Sequence, residues 1–358
     1  MIGSTGGQGD LASHDPRWAR YSRQMLVEGI GVDGQRRLGE SSVLLVGCGA
    51  LGSVAADMLV RGGVGRLRIC DRDYIERNNL QRQVLFDEDD IAADLPKAEA
   101  AVRKLRRINS EVHAEAVVAD LTHRNVAELA DGVSLIVDGT DNFETRYLVN
   151  DFAVSTGRAW IYGAVIGATG LCMSILPGRT PCLRCVFEQP PPAELSPTCE
   201  TVGVLAPAAH MVASLQVLEA IKILVGKPEQ IYRGLVQLDA WSGRMTTMNM
   251  DRARESDCPC CGRREFPYLE GRFASSTATL CGRDAVQITP AERAAPDLAS
   301  IASRLAPVAI GPVRSNKFMV RAEVEGLEIT VFADGRIIIK GTSDPGLARS
   351  IQARFLGA

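Results

Sequence analysis

Little in this sequence points outward. Its 40 lysines and arginines against 43 acidic residues leave a formal net charge of −3, so no basic surface for nucleic acid or an anionic membrane is expected. No run reaches the roughly 18 consecutive apolar residues of a membrane span. The opening MIGSTGGQGDLASHD is glycine-rich and has no apolar core of signal-peptide length, which predicts a flexible segment over 1–15 and a cytoplasmic protein. Only four histidines occur, and none falls in a metal-ligand or triad pattern. In a cell that keeps thiols reduced, the ten cysteines read as metal ligands and core residues rather than disulfides.

What is present is an ordinary globular composition, 46% hydrophobic over 358 residues, long enough for a large domain and a smaller one. The chain is organised around SSVLLVGCGALGSVAADMLVRGGVGRLRICDRD, residues 41–73. Ser42–Val46 reads as a strand, Leu51–Arg61 as a helix, and Arg66–Cys70 as a second strand ending at Asp71. Between strand and helix, Gly47, Gly49 and Gly52 keep the spacing G-x-G-x-x-G. Two such glycines let the backbone turn tightly and approach a phosphate, the third allows close helix–strand packing, and the helix N-terminus offers free N–H groups. Asp71 is placed for ribose hydroxyls. By itself this unit binds a nucleotide without saying which.

The polar stretch YIERNNLQRQVLF follows the Asp71 strand, where ligands bind in open α/β sheets, so Asn79, Arg82 and Gln83 can face the nucleotide. Lys97 begins an amphipathic helix, PKAEAAVRKLRRIN, and is either a solvated surface residue or an ammonium that reaches phosphates. Strands over 111–119 and 133–137, with a helix over 122–130 between them, continue the βαβ alternation of a parallel sheet. The second ends in VDGTDNFETR, where Asp138 or Asp141 can hold magnesium, while Asp141 or Asn142 can instead cap the helix Phe143–Ser155. Ala159–Leu176 reads as antiparallel strands, Ala208–Val225 as a buried helix apolar almost all round, and residues 231–239 and 244–250 as two more strands. Before them, DPRWARYSRQMLVEG has helical spacing of Trp18, Tyr21, Met25 and Leu26, with Arg17, Arg20 and Arg23 on other faces. From about Phe266 the pattern becomes a small α+β unit with turns at Glu325-Gly326 and Asp334-Gly335. The expected division is 1–15, 16–265 and 266–358.

Cys182 with Cys185 and Cys258 with Cys261 are two C-x-x-C pairs, which supply the four thiolates of a closed, structural zinc site. Cys260 lies within the second pair, whose two-residue spacing favours its flanking cysteines as ligands. Cys199, alone before a short helix, is either an inert loop thiol or a nucleophile with a lowered pKa. Cys48, Cys70, Cys172 and Cys281 lie in apolar surroundings and read as core residues.

Taken together, RYSRQ, GCGALG, DRDYIERNNLQRQ, PKAEAA, DGTDNFETR, CLRC, TCETVGVLAP and CPCCG resemble the MoeB/ThiF/HesA family, over about residues 16–262 and in the same order. The resemblance implies a homodimer that uses ATP and magnesium to adenylate the C-terminal glycine of a ubiquitin-like sulfur carrier protein. It implies a Rossmann-like, mostly parallel sheet continuing into antiparallel strands. Carried over position by position, Gly47, Gly49, Ala50, Gly52, Asp71, Asp73, Asn79, Arg82 and Lys97 would lie at the ATP. Asp141 would hold magnesium, Arg23 would reach the partner subunit's ATP, and Cys199 would sit on the crossover loop above the carrier tail.

The tail beyond 265 has no rhodanese-like cysteine loop, only Cys281 in LCGRDA, so a separate sulfur donor is expected. The chain ends Leu356-Gly357-Ala358, without the Gly-Gly of a fused carrier. The alternative is an NAD-dependent oxidoreductase, which the glycine loop and Asp71 alone would favour. It lacks an evident proton donor and leaves NNLQRQ and the cysteine pairs unexplained.

Overall fold

The computed structural model describes residues 16–190, 199–254, 257–273, 277–280, 284–289 and 295–356. The flexible segment expected over 1–15 and the core position expected for Cys281 lie outside them.

Apolar, β-branched runs make the first sheet. β1 (Ser42–Val46), β2 (Arg66–Cys70), β3 (His113–Val117) and β4 (Leu135–Asp138) are parallel, as is the start of β5 (Ala159–Ile166). β6 (Thr169–Ile175), β7 (Gly234–Asp239) and β8 (Arg244–Asn249) then add antiparallel pairs, giving the order β3-β2-β1-β4-β5-β6-β7-β8. This is the mixed sheet the sequence predicts. Both faces of β1 are covered, which is why it has no polar alternation. Leu45 and Val43 pack under helices Ala50–Gly62, Lys97–Ile108 and Ala206–Leu224, while Leu44 and Val46 pack toward helix Phe143–Thr156.

Strand order reverses between β1 and β4, so their connections diverge to opposite sides and a crevice opens at their carboxyl ends. Register sets its floor, because Val46 pairs with both Cys70 and Asp138. The residues just past these three positions therefore converge: the glycine turn, Asp71 and the Gly139–Asn142 segment.

A second sheet has the order β11-β12-β13-β14-β10-β9, from β9 (Thr277–Leu280), β10 (Ala285–Ile288), β11 (Arg314–Ser315), β12 (Met319–Val324), β13 (Leu327–Phe332) and β14 (Ile337–Lys340). The expected turn at Glu325-Gly326 is real, and both residues take positive φ, 53° and 77°. One face of this sheet buries Val320, Ile329 and Ile339 under helices Leu298–Leu305 and Pro345–Phe355.

Three expectations change. The helix expected over 122–130 shrinks to Val126–Leu129, since Thr122 and Asn125 tie its approach into a turn. The helix expected from Trp18 to Leu26 is a 3-10 segment, Pro16–Tyr21, followed by Ser22–Met25. Tyr21 is its buried anchor, whereas Leu26 is 75% exposed. Helix Ala206–Leu224 buries one face only, because Met211 and Leu218 are each 44% exposed. No helix among the described residues is long and apolar enough to cross a membrane.

Candidate functional site

The glycine turn is sterically closed on the protein side and open on the other. Gly47 sits at φ +85° and its N–H donates to the Cys70 carbonyl at 2.8 Å. A Cβ on Gly52 would lie 2.0 Å from the Gly47 carbonyl oxygen, and one on Gly139 would lie 2.5 Å from the same atom. Three backbones therefore meet where no side chain fits. At Gly49, which caps helix Ala50–Gly62, a Cβ would meet nothing nearer than 3.9 Å. The helix start and its unsatisfied N–H groups thus face open space.

Past β2, the backbone places Asp71 beneath this turn. Its carboxylate accepts from the N–H of Cys48 at 2.6 Å and of Asp73 at 2.7 Å. Burial pushes its pKa up, with Lys97 acting in the opposite direction. Lys97 is buried, not solvated, and lies 3.2 Å from Asp73. An ammonium held in the interior at a helix N-terminus, beside the glycine turn's acids, is expensive unless it meets negative charge.

The polar stretch forms a tight 3-10 turn, Arg77–Asn79. Asn79 and Glu76 cap each other reciprocally, and the N–H groups of Arg82 and Gln83 both donate to the Asn79 carbonyl at 3.0 Å. Arg82 donates to the Asn78 carbonyl at 2.6 Å and is half-buried. Gln83 is buried, its side-chain oxygen has no hydrogen-bond partner, and its Nε2 would stand 3.9 Å from a Cβ on Gly49.

The two carboxylates after β4 separate cleanly. Asp138 is consumed by structure, accepting from Arg146 Nε at 3.1 Å and from the Thr140 N–H and hydroxyl at 2.9 and 2.7 Å. Burial raises its pKa and the Arg146 charge opposes the shift. Asn142, rather than Asp141, caps helix Phe143–Thr156, so Asp141 is left exposed at the crevice. Such a free carboxylate suits magnesium.

Sequence reasoning missed Arg72 and Arg146. Burial works against the Arg72 charge, yet Asp120 at 3.0 Å, with Asp73 and Asp141, holds its pKa above the ordinary value. Arg146 gave one signal, its place eight residues after Asp138 on the following helix. Arg72 gave none, because its partner lies 48 positions away.

Arg23 is exposed on the short helix Ser22–Met25 and is not shown to join this cluster. Cys199 opens the four-residue helix Cys199–Val202, and its side chain lies outside the described residues. Cys48, Cys70 and Cys172 are buried, and burial pushes all three thiols up, as expected of core cysteines.

The C-x-x-C pairs meet. The sulfurs of Cys182, Cys185, Cys258 and Cys261 all lie within 4.8 Å of one another, with pairwise separations of 3.4–3.8 Å for three of the contacts. Zinc at about 2.3 Å from four tetrahedral sulfurs requires roughly 3.8 Å between them, so the donors fit a closed zinc site. Cys260 is not part of this four-sulfur group: its thiol lies beside the Cys182 sulfur and accepts from Asn150 at 3.2 Å, and the group that forms is the one the two-residue spacing favours.

Comparison with known proteins agrees with this arrangement. The ThiF family model matches residues 21–260. The chain is 41% identical over 338 residues to the sulfur carrier protein ThiS adenylyltransferase of Bacillus subtilis (strain 168), covering 94% of this chain and 99% of that protein. It is 38% identical over 248 residues to the sulfur carrier protein adenylyltransferase of Thermus thermophilus, covering 68% and 90%. Among solved structures, Escherichia coli MccB with AMPCPP and MccA shares the fold at a TM-score of 0.62 and 22% identity, over 72% of this chain and 76% of that one. With the family model spanning the glycine turn, both carboxylate segments and the first cysteine pair, this chain belongs to the ThiF family.

Proposed function

We propose that the protein is an ATP-dependent adenylyltransferase that activates the C-terminal glycine of a ubiquitin-like sulfur carrier protein, for which a ThiS-like carrier is the first candidate. The observation that carries this reading is the crevice itself, where the open helix N-terminus at Gly49, buried Lys97 and exposed Asp141 gather around one floor. Relatives that share most of this chain are named adenylyltransferases, which speaks against the oxidoreductase alternative.

A carrier carboxylate is already ionised at neutral pH, so attack on the α-phosphate needs alignment and charge neutralisation rather than a general base. In this reading Gly47, Gly49, Ala50 and Gly52 cradle the nucleotide, and Asp71 with Asp73 holds the ribose side. Asn79, Arg82 and Lys97 bind phosphate oxygens. Asp141 would hold magnesium, which when bound would supply positive charge for the leaving pyrophosphate. The bond from a carboxylate oxygen to the α-phosphorus forms as the bond from that phosphorus to the bridging oxygen of the β-phosphate breaks, releasing pyrophosphate and leaving an acyl adenylate for a separate sulfur donor.

Arg23 of one protomer serves the partner's ATP in a homodimer, and the exposed Leu26, Met211 and Leu218 are the apolar side chains such a dimer would cover. The adenylation unit is 16–265, with 266–358 appended, in a cytoplasmic protein. Zinc on Cys182, Cys185, Cys258 and Cys261 is structural. Cys199 is the thiol of the crossover loop above the carrier tail, the position of a nucleophile or sulfur acceptor.

The glycines offer a separable prediction. Gly52→Ala is expected to destabilise the fold by about 2 kcal/mol or more, since two backbones must part. Gly49→Ala should melt close to the parent but bind ATP at least about tenfold more weakly, because its methyl enters ligand space. Thermal melts and calorimetric ATP titration check the pair. For the function itself, incubation with ATP and a Gly-Gly-ended carrier should give carrier that has gained the mass of an adenylyl group, that is, AMP less one water. A carrier of unchanged mass, alongside NADH binding tighter than ATP, would support the oxidoreductase instead.

A further inference from the structure

The second sheet has two unlike faces. Residues of β14 alternate, with Ile337 and Ile339 in that sheet's own core and Ile338 and Lys340 on the opposite side, where Arg336 just before the strand also lies. This face carries the buried Arg336 and the partly exposed Arg321 and Lys340, and a buried cation needs acceptors opposite. Here they come from the segment that leads out of β2.

That segment also divides. Asp71 and Asp73 turn toward the glycine turn and Lys97, whereas the Arg72 carbonyl and the side chains of Tyr74 and Glu76 face the second sheet. Arg336 Nη2 donates to the Arg72 carbonyl at 3.1 Å, its charge balanced by Asp334 at 2.6 Å. The Arg321 guanidinium lies 3.8 Å over the Tyr74 ring, and the Tyr74 hydroxyl donates to Glu328 at 3.0 Å. Lys340 Nζ donates to Glu76 at 2.7 Å. Lys340, Glu76, Asp73 and Lys97 line a single small cavity between the two sheets.

Glu76 links this contact to the site. Its side chain accepts from the Asn79 N–H and its own N–H donates to the Asn79 side chain, and the Asn79 carbonyl in turn fixes the N–H groups of Arg82 and Gln83. We infer that the second sheet is the positioning element of the nucleotide crevice. Lys340 acts through Glu76 on the Asn79–Gln83 turn, and Arg336 acts through the Arg72 carbonyl on the Asp71–Asp73 segment. Neither touches ATP, so both are positioning residues. The inference rests on the adenylation reading only for the identity of the nucleotide.

The test uses the full chain as wild type, Lys340→Ala and Lys340→Arg, with amide hydrogen exchange and ATP–pyrophosphate exchange as separate readouts. Lys340→Ala should speed amide exchange at residues 77–83 by about tenfold while the core strands of the first sheet keep their protection. It should raise KM for ATP by about tenfold with kcat within about twofold, the signature of a misplaced binding turn. Lys340→Arg should restore most of both, because it keeps the donor to Glu76. Glu76→Gln combined with Lys340→Ala should do no further harm, since both break one link. Unchanged protection at 77–83, or an unchanged ATP KM beside loosened amides, overturns the positioning role. A wild type that exchanges no pyrophosphate overturns the adenylation reading instead, and the amide readout still decides whether Lys340 holds the turn.

Discussion

Asp141→Ala is expected to reduce ATP–pyrophosphate exchange by about 10²–10³-fold while leaving the melting temperature nearly unchanged. The crevice holds two carboxylates three residues apart, and only one is free. Asp138 is 2% exposed and spends its oxygens on Arg146, Thr140 and the Gly163 N–H. Asp141 is exposed and Asn142 takes the capping role that would have consumed it. The companion variant Asp138→Ala should behave oppositely. It strands a buried guanidinium and should cost about 3–5 kcal/mol of stability, with activity lost only as fold is lost. Exchange assays and thermal melts on the two variants separate the roles. Full activity in Asp141→Ala would remove the magnesium assignment.

Cys258→Ser carries the second large effect. The cysteine pairs lie after β6 and after β8, so a metal there joins two loops that the antiparallel end of the sheet leaves apart in sequence by 76 residues. Around the cluster, Cys182, Cys258 and Cys260 pack with Leu183 and Trp160 in the core under helix Phe143–Thr156. Loss of one thiolate should open the site and destabilise by about 4 kcal/mol or more, a fall of about 8–16 °C in Tm for a domain of this size. Metal analysis of protein purified without chelator should find about one zinc per chain, and none in the variant. A metal-free wild type that melts as the variant does would contradict the zinc site.

How far the sequence reached depends on the range over which each signal acts. Gly47, Gly49 and Gly52 were legible because a turn's requirements are local, and the close approach of Gly52 to Gly47 is the physical form of that spacing. The cysteine pairs were legible because a metal knuckle fixes two ligands within four residues. The choice between Asp138 and Asp141 followed from the family resemblance and not from spacing, since what disqualifies Asp138 is Arg146 on the next helix. Lys97 read more naturally as a surface residue, and only the packing of its helix against the Asp73 segment buries it. Least legible was the second sheet. Its pattern predicted a small α+β unit with turns at Glu325-Gly326 and Asp334-Gly335, but a polar face does not announce its partner, and Tyr74 meets Glu328 across 254 residues.

The central claim is that this crevice binds ATP to activate a carrier carboxylate, and carrier-dependent ATP–pyrophosphate exchange by the wild-type chain tests it most directly. Labelled pyrophosphate should enter ATP when magnesium and a Gly-Gly-ended carrier are both present, and should not when the carrier lacks its terminal glycines. Label that never enters ATP with the intact carrier, or enters equally with the truncated one, would contradict the account.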